Sequence, residues 1–267
     1  MKIGALHRRS SAISTSNAET ILVRGHDLCT ELIGRVSFTD HVWLLVTGDL
    51  PSAAQRRVLD AALVAIAEHG LVPSVQASRL TLAAAPEALQ GAVAAGILGC
   101  GSVILGSAEA AGRLFDEVLK RSPDDLEAGA RAVLGELIAA RRAIPGYGHP
   151  LHKGYDPRSR RLFEIAAESG LAGQHAEAAR VIERALPEVT GKPLAMNVSG
   201  AIPAVLLDAG YPLLALKGAP ILARTASLIA HLLEEQQRPI GFVLSHAGAS
   251  AIEYDGKAPK GFVRSDQ

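Results

Sequence analysis

The chain has 267 residues, 48% of them hydrophobic, enough to bury a sizeable core in one large or two modest domains. Lys plus Arg and Asp plus Glu number 27 each, and a formal net charge of zero argues against a nucleic-acid binder that works through a broad basic field. Two cysteines, Cys29 and Cys100, are too few for a disulfide framework or a cysteine metal site, and the opening MKIGALHRRSS lacks an apolar signal-peptide core, so a reduced, cytoplasmic setting is expected.

Residues 1–20 read as polar and irregular, with TSNAET as a turn. ILVRGHDL (21–28) reads as a short extended segment turning at Gly25. Apolar residues recur at mixed helical spacing from Leu28 to Thr47, and Gly48 to Ser52 punctuates, with Ser52 placed to cap the next helix. That helix carries Val58, Leu59, Ala62, Leu63 and Ile66 on one stripe and stops by Gly70. His69 falls at its C-terminal end, where a histidine often only complements the helix dipole.

Residues 91–108 run without a charge for about the length of a bilayer span, but five glycines and two serines break the run and no aromatic anchors it. A tightly packed buried helix pair is expected there, and no membrane. Successive helices are expected from 85 to 142, then over 157–169 and 173–187, then from KPLAMNVSGAIPAVLLDAG, and last from GAPILARTASLIAHLLEEQQ. In that last helix Ile221, Thr225, Leu228 and Leu232 form one face, widened by Leu222, Ile229 and Leu233, with Arg224 and His231 seven residues apart at its edge. The chain beyond Gly241 reads as a tail that packs across a neighbour or frays. The fold class is all-α.

Between two of these helices lies PGYGHPLHKGYDPR (145–158). Gly146 and Gly148 bracket Tyr147 and permit close approach of a ligand to the backbone. His149 and His152 titrate near neutral pH when unperturbed, and Asp156-Pro157 reads as an N-cap followed by proline at the first helical position. Arg158, Arg160 and Arg161 crowd the first turn, the wrong end of the dipole for cations, which suggests an anionic partner. A polar surface loop with solvated arginines is the plain alternative.

Seven segments in register, LVRGHDL, SFTDHVWLLVTGDLPS, AEHGLVPS, GSVILGSAEAAGRLF, PGYGHPLHKGYDPR, MNVSGAIPAVLLDAG and ILARTASLIAH, resemble the citrate synthase family, in particular its short branch of citryl-CoA lyases and the C-terminal lyase module of ATP-citrate lyase. The resemblance implies a multihelical fold with a large domain (1–105 plus 209–267), a small mobile domain (106–208), an active site in the cleft between them, and a homodimer or higher homo-oligomer. It implies a coenzyme A thioester as substrate, lying along Gly146, Tyr147, Gly148 and Lys153, with no metal. It places oxaloacetate or citrate at His69, His149 and Arg224, with Arg158 near the anions, and His149 as the proton-exchanging group.

The sequence departs from the family pattern at three places. Ile104 stands where synthases carry an enolate-stabilising histidine, as the lyase branch also lacks it. Ser199 stands in an NVS triplet where the family has NVD with its catalytic aspartate. Pro150 follows His149 where many members have arginine. Three readings remain open: a citryl-CoA lyase-like enzyme, a family member acting as a synthase-type acyltransferase or on a different 3-hydroxyacyl-CoA, and a non-catalytic binder of CoA esters or polycarboxylates.

Overall fold

The structure, a computed structural model, describes residues 10–101, 103, 105–148 and 154–262. Among these, a small antiparallel sheet of β1 (Ser14–Ser16), β2 (Ile21–Val23) and β3 (His26–Asp27) precedes the helices. These are α1 (Phe38–Thr47), α2 (Ala53–Ala67), α3 (Pro73–Ala84), α4 (Leu89–Leu98), α5 (Ser107–Arg121), α6 (Leu126–Ala139), α7 (Pro157–Glu168), α8 (Gln174–Thr190), α9 (Val198–Asp208), α10 (Gly218–Gln237) and α11 (Gly241–Ala251). The helical class read from the sequence is the observed one.

Local chemistry accounts for most boundaries. Ser37 and Asp40 form a capping box at the start of α1. Ser52 and Gln55 exchange side-chain and backbone hydrogen bonds at the start of α2, and Asp156 with Pro157 opens α7 as expected. Two expectations need correction, and one helix has no counterpart among them. Part of the TSNAET stretch is strand: β1 pairs with β2, and only Asn17 to Thr20 turn, the Asn17 side chain accepting from the N–H groups of Glu19 and Thr20. Helix α3 carries no apolar stripe, because Ser74, Ser78 and Arg79 are buried in it beside Val75 and Leu82. The segment after Gly241 does not begin as an irregular tail: it forms α11, and of the two expected courses it takes the packed one, on α3.

By contacts the chain falls into two compact units. The first comprises 1–62 and 108–216, so residues 1–62 group with 108–216 rather than with the rest of the large domain expected from the resemblance. Here α8 packs on α6 and α9, and α7 also packs on α9. Helix α9 is the hub: Val198, Ala201, Ile202, Pro203, Ala204, Val205 and Leu206 are all buried, because a helix apolar on every side has no face to give to water. The sheet closes over Val23, Leu32 and Leu44, and Trp43 meets Tyr211 at 5.4 Å between ring centroids.

The second unit comprises 63–107 and 217–267. Helices α3, α4 and α10 pack mutually, with Leu82, Ala92 and Leu232 in their core. Arg79 is buried and joins three helices: its Nε donates to Glu235 at 2.6 Å and its Nη1 to Glu234 at 2.8 Å, while Glu235 also accepts the N–H of Gly241 at 2.8 Å. The uncharged run at 91–108 is helical only to Leu98. The stretch Leu213–Gln237 is long and apolar enough to cross a membrane, yet Arg224 and Glu235 are buried within it in the protein, Glu235 paired with Arg79, as a core helix allows.

Candidate active site

Predicted site residues fall into two groups, one in each unit. His149 and Lys153, with Ile104, Pro150 and His152, lie outside the described residues.

In the first unit, the glycine loop is fastened to the start of α9. The Gly148 N–H donates to the Ala195 carbonyl (2.8 Å) and the Asn197 N–H to the Gly146 carbonyl (2.9 Å), making a short antiparallel bridge of Tyr147 with Met196. The Asn197 amide nitrogen donates to the Gly148 carbonyl at 2.7 Å while its oxygen caps α9 by accepting the Ser199 N–H at 2.9 Å. Gly146 has φ +87°, and a Cβ there would stand 2.8 Å from the Cα of Gly200. Only a glycine pair lets loop and helix touch this closely. Ser199 thus sits half-buried in the first turn of α9, between Asn197 and Gly200, which touch the loop.

Two details were not expected. The Tyr147 ring is buried and its hydroxyl donates to the Ala179 carbonyl at 2.7 Å, so the side chain is spent in the core; burial pushes the phenol well above its ordinary range. Nor are the three arginines of α7 short of anions. Arg158 grips Asp156 with Nε (3.0 Å) and Nη2 (2.8 Å), Arg160 reaches Glu164, and Arg161 reaches Glu164 and Glu168. The anionic partner inferred from their crowding is supplied by the chain itself. Asp156 also accepts the N–H of Val198 at 3.0 Å, tying α7 to α9. Burial alone would raise this carboxyl; Arg158 and the Val198 N–H hold it below its usual value.

Asp208, at the far end of α9, is not a stand-in for the missing aspartate. It lies nine residues from Ser199, about 13 Å along a helix. Its carboxylate is engaged in accepting the N–H groups of Gly173, His175 and Ala176 and in meeting His175 Nδ1 at 2.9 Å.

In the second unit, His69 lies exposed just past the end of α2. Arg224 is 2% exposed, so it lies within the core rather than at the stripe's rim, whereas Ile229 and Leu233 turn outward. Its Nη2 makes one long contact to the Ile66 carbonyl at 3.4 Å, while Nε and Nη1 are buried with no protein partner. A buried guanidinium with two unmatched N–H edges is costly to keep, and its fork geometry fits a carboxylate. Ser74 Oγ, in the first turn of α3, is likewise buried without a partner.

Glu68, Ser227 and His231 form a cluster that the sequence reading passed over. The Glu68 carboxylate accepts from the Ser227 hydroxyl and the Gly70 N–H and meets His231 Nε2 at 3.0 Å. Burial works against its charge, but Ser227, Gly70 and His231 hold the carboxyl at about 2. Arg224, Ser227 and His231 share a helix face by their spacing of three and seven, which is the signal that could have found them.

A family profile described as "Citrate synthase, C-terminal domain" matches residues 53–241. Among solved structures, citryl-CoA lyase from Hydrogenobacter thermophilus superposes with a TM-score of 0.84 at 30% identity, covering 95% of this chain and 97% of that one. ATP citrate lyase from Methanothrix soehngenii, determined with citrate and coenzyme A, gives 0.77 at 22% identity over 96% of this chain and 43% of that one, a likeness of fold. The "Putative citrate synthase 2" of Mycobacterium tuberculosis is 29% identical over 218 residues, 77% of this chain and 56% of that protein; the chain spans about half the length of the curated relatives it matches. With the profile extending over most of the helices and the fold shared end to end, the chain belongs to the citrate synthase family.

Proposed function

We propose that the protein is a citryl-CoA lyase-like enzyme that cleaves or forms the carbon–carbon bond between oxaloacetate and the acetyl unit of a CoA thioester. The observation that carries the reading is Arg224, a buried cation whose Nε and Nη1 lack protein partners where a substrate carboxylate would satisfy both. The likeness to the Hydrogenobacter citryl-CoA lyase supports the choice of substrate.

In the cleavage direction His149 takes the proton of the citryl hydroxyl. The carbon–carbon bond breaks as the carbonyl of oxaloacetate forms, its electron pair passes to the thioester as an enolate, and that carbon then gains a proton. Arg224 and His69 hold carboxylates in place, a positioning contribution. CoA lies along Gly146, Tyr147, Gly148 and Lys153, with Arg158 beside it. For Tyr147 only the backbone serves, since its side chain is committed to Ala179.

Ser199 favours a second reading, a family member handling a different 3-hydroxyacyl-CoA, because a hydroxyl cannot titrate as a carboxyl does. The proposal includes the large domain of 1–105 and 209–267 and the small domain of 106–208. It also includes a homodimer or higher assembly, supported by the exposed apolar side chains Leu89 and Leu98 on α4 and Ile229 and Leu233 on α10.

The test is oxaloacetate release from citryl-CoA, wild type beside Ser199→Asp. The wild type is expected to turn over and Ser199→Asp to gain, by at most about 10²–10⁴-fold, the worth of a positioned acid–base group. A silent wild type that stays silent as Ser199→Asp rejects citryl-CoA as substrate.

A further inference from the structure

We infer that Glu68, Ser227 and His231 form a clasp that positions His69 against Arg224. They are positioning residues of the proposed anion site, and the inference rests on that reading only for the identity of the ligand.

Three residues on one face of α10 grip the five-residue stretch 66–70. Arg224 Nη2 approaches the Ile66 carbonyl at 3.4 Å, the Ser227 hydroxyl donates to Glu68, and His231 Nε2 lies 3.0 and 3.2 Å from the two Glu68 oxygens. The same carboxylate closes back on the Gly70 N–H, and Gly70 adopts φ +67°. His69 stands between Glu68 and Gly70, so the backbone on both of its sides is fixed to the helix that carries Arg224. A clasp that fixes one ligand-holding side chain relative to another acts through preorganisation, removing ordering cost at the moment of binding.

The clasp has a second consequence. A carboxylate held within about one turn of Arg224 is a ready counter-ion for it, which would block the substrate's place. Ser227 and His231 occupy that carboxylate instead, and Arg224 keeps Nε and Nη1 unmatched. Glu68 stays ionised at neutral pH, its carboxyl held at about 2 by Ser227, Gly70 and His231.

The experiment uses the full-length chain with Ser227→Ala, His231→Ala and His231→Gln, the last retaining a side-chain N–H where Nε2 lies. Two readouts are taken. Histidine imidazole NMR without ligand follows His69, assigned through His69→Gln. Calorimetry gives citrate and coenzyme A affinities separately. The expected result is that Ser227→Ala and His231→Ala shift and broaden the His69 signals and weaken citrate binding about tenfold, with CoA affinity unchanged. His231→Gln should return both toward wild type. His69 signals unmoved by either alanine variant overturn the clasp, as does unchanged citrate affinity, or an equal loss of citrate and CoA binding that marks general destabilisation. His69 signals that move while the wild type itself ignores citrate uphold the clasp and reject the tricarboxylate reading of the site.

Discussion

Arg224→Met separates the cost of the candidate site from its use. In the ligand-free protein Arg224 is 2% exposed with Nε and Nη1 unpartnered, and its one hydrogen bond among the described residues is a 3.4 Å contact to Ile66. Each unsatisfied buried donor costs about 1–3 kcal/mol, and the long contact returns at most about 1 kcal/mol. Replacing a buried charged group by an apolar one of similar volume is neutral or stabilising by about 1–4 kcal/mol. Methionine nearly fills the space with a flexible apolar chain. Arg224→Met is therefore expected to stabilise the ligand-free protein by about 1–3 kcal/mol while reducing citrate affinity at least about a hundredfold. Urea unfolding without ligand reads the first quantity and calorimetric titration with citrate the second. Loss of more than about 1 kcal/mol in stability together with wild-type citrate affinity would show that Arg224 is a structural group, and the argument from its unmatched N–H edges would fail.

His149→Ala is expected to abolish cleavage of citryl-CoA while leaving CoA affinity within about twofold; normal turnover would remove His149 as the proton-exchanging group. Gly146→Ala would bring a Cβ to 2.8 Å from the Gly200 Cα at φ +87°, so a loss of about 1–3 kcal/mol in stability is expected, read by urea unfolding. Asp208→Asn leaves part of the α8 cap unmade. In the wild type, burial opposes the Asp208 charge, but His175 and the α8 N–H groups lower its pKa below the ordinary value of 3.8. A depressed carboxyl adds stability above its unfolded value and loses it as pH falls through the folded one. The stability gap between Asp208→Asn and wild type, measured by urea unfolding, should therefore be full at pH 6 and shrink below about pH 4. A gap that widens in acid would contradict the assignment.

Much of this molecule is written in local chemistry. Ser52 before α2, Asp156-Pro157 before α7 and the apolar stripe of Val58, Leu59, Ala62 and Ile66 announce themselves because caps and helical periodicity act between residues close in sequence. The glycine loop is equally legible, and its motif is one of seven in register that resemble the family. The arginines of α7 misled because the side chains that neutralise them, Asp156, Glu164 and Glu168, are counter-ions whose pairing depends on rotamers. Helix α3 escaped notice because its buried face holds Ser74, Ser78 and Arg79, and a polar side chain can be core only when a distant partner such as Glu235 satisfies it.

The sequence by itself determined the helical class and the order of most helices, since caps and periodicity act locally, and its likeness to a family singled out His69, Ser199 and Arg224 as candidates. Only the tertiary structure decided that Arg224 is buried with unmatched N–H edges while Arg158 is already paired. It alone joined Glu68 to Ser227 and His231 across more than 150 residues of chain. Burial and charge pairing are properties of neighbours in space, and a chain brings those neighbours together only by folding.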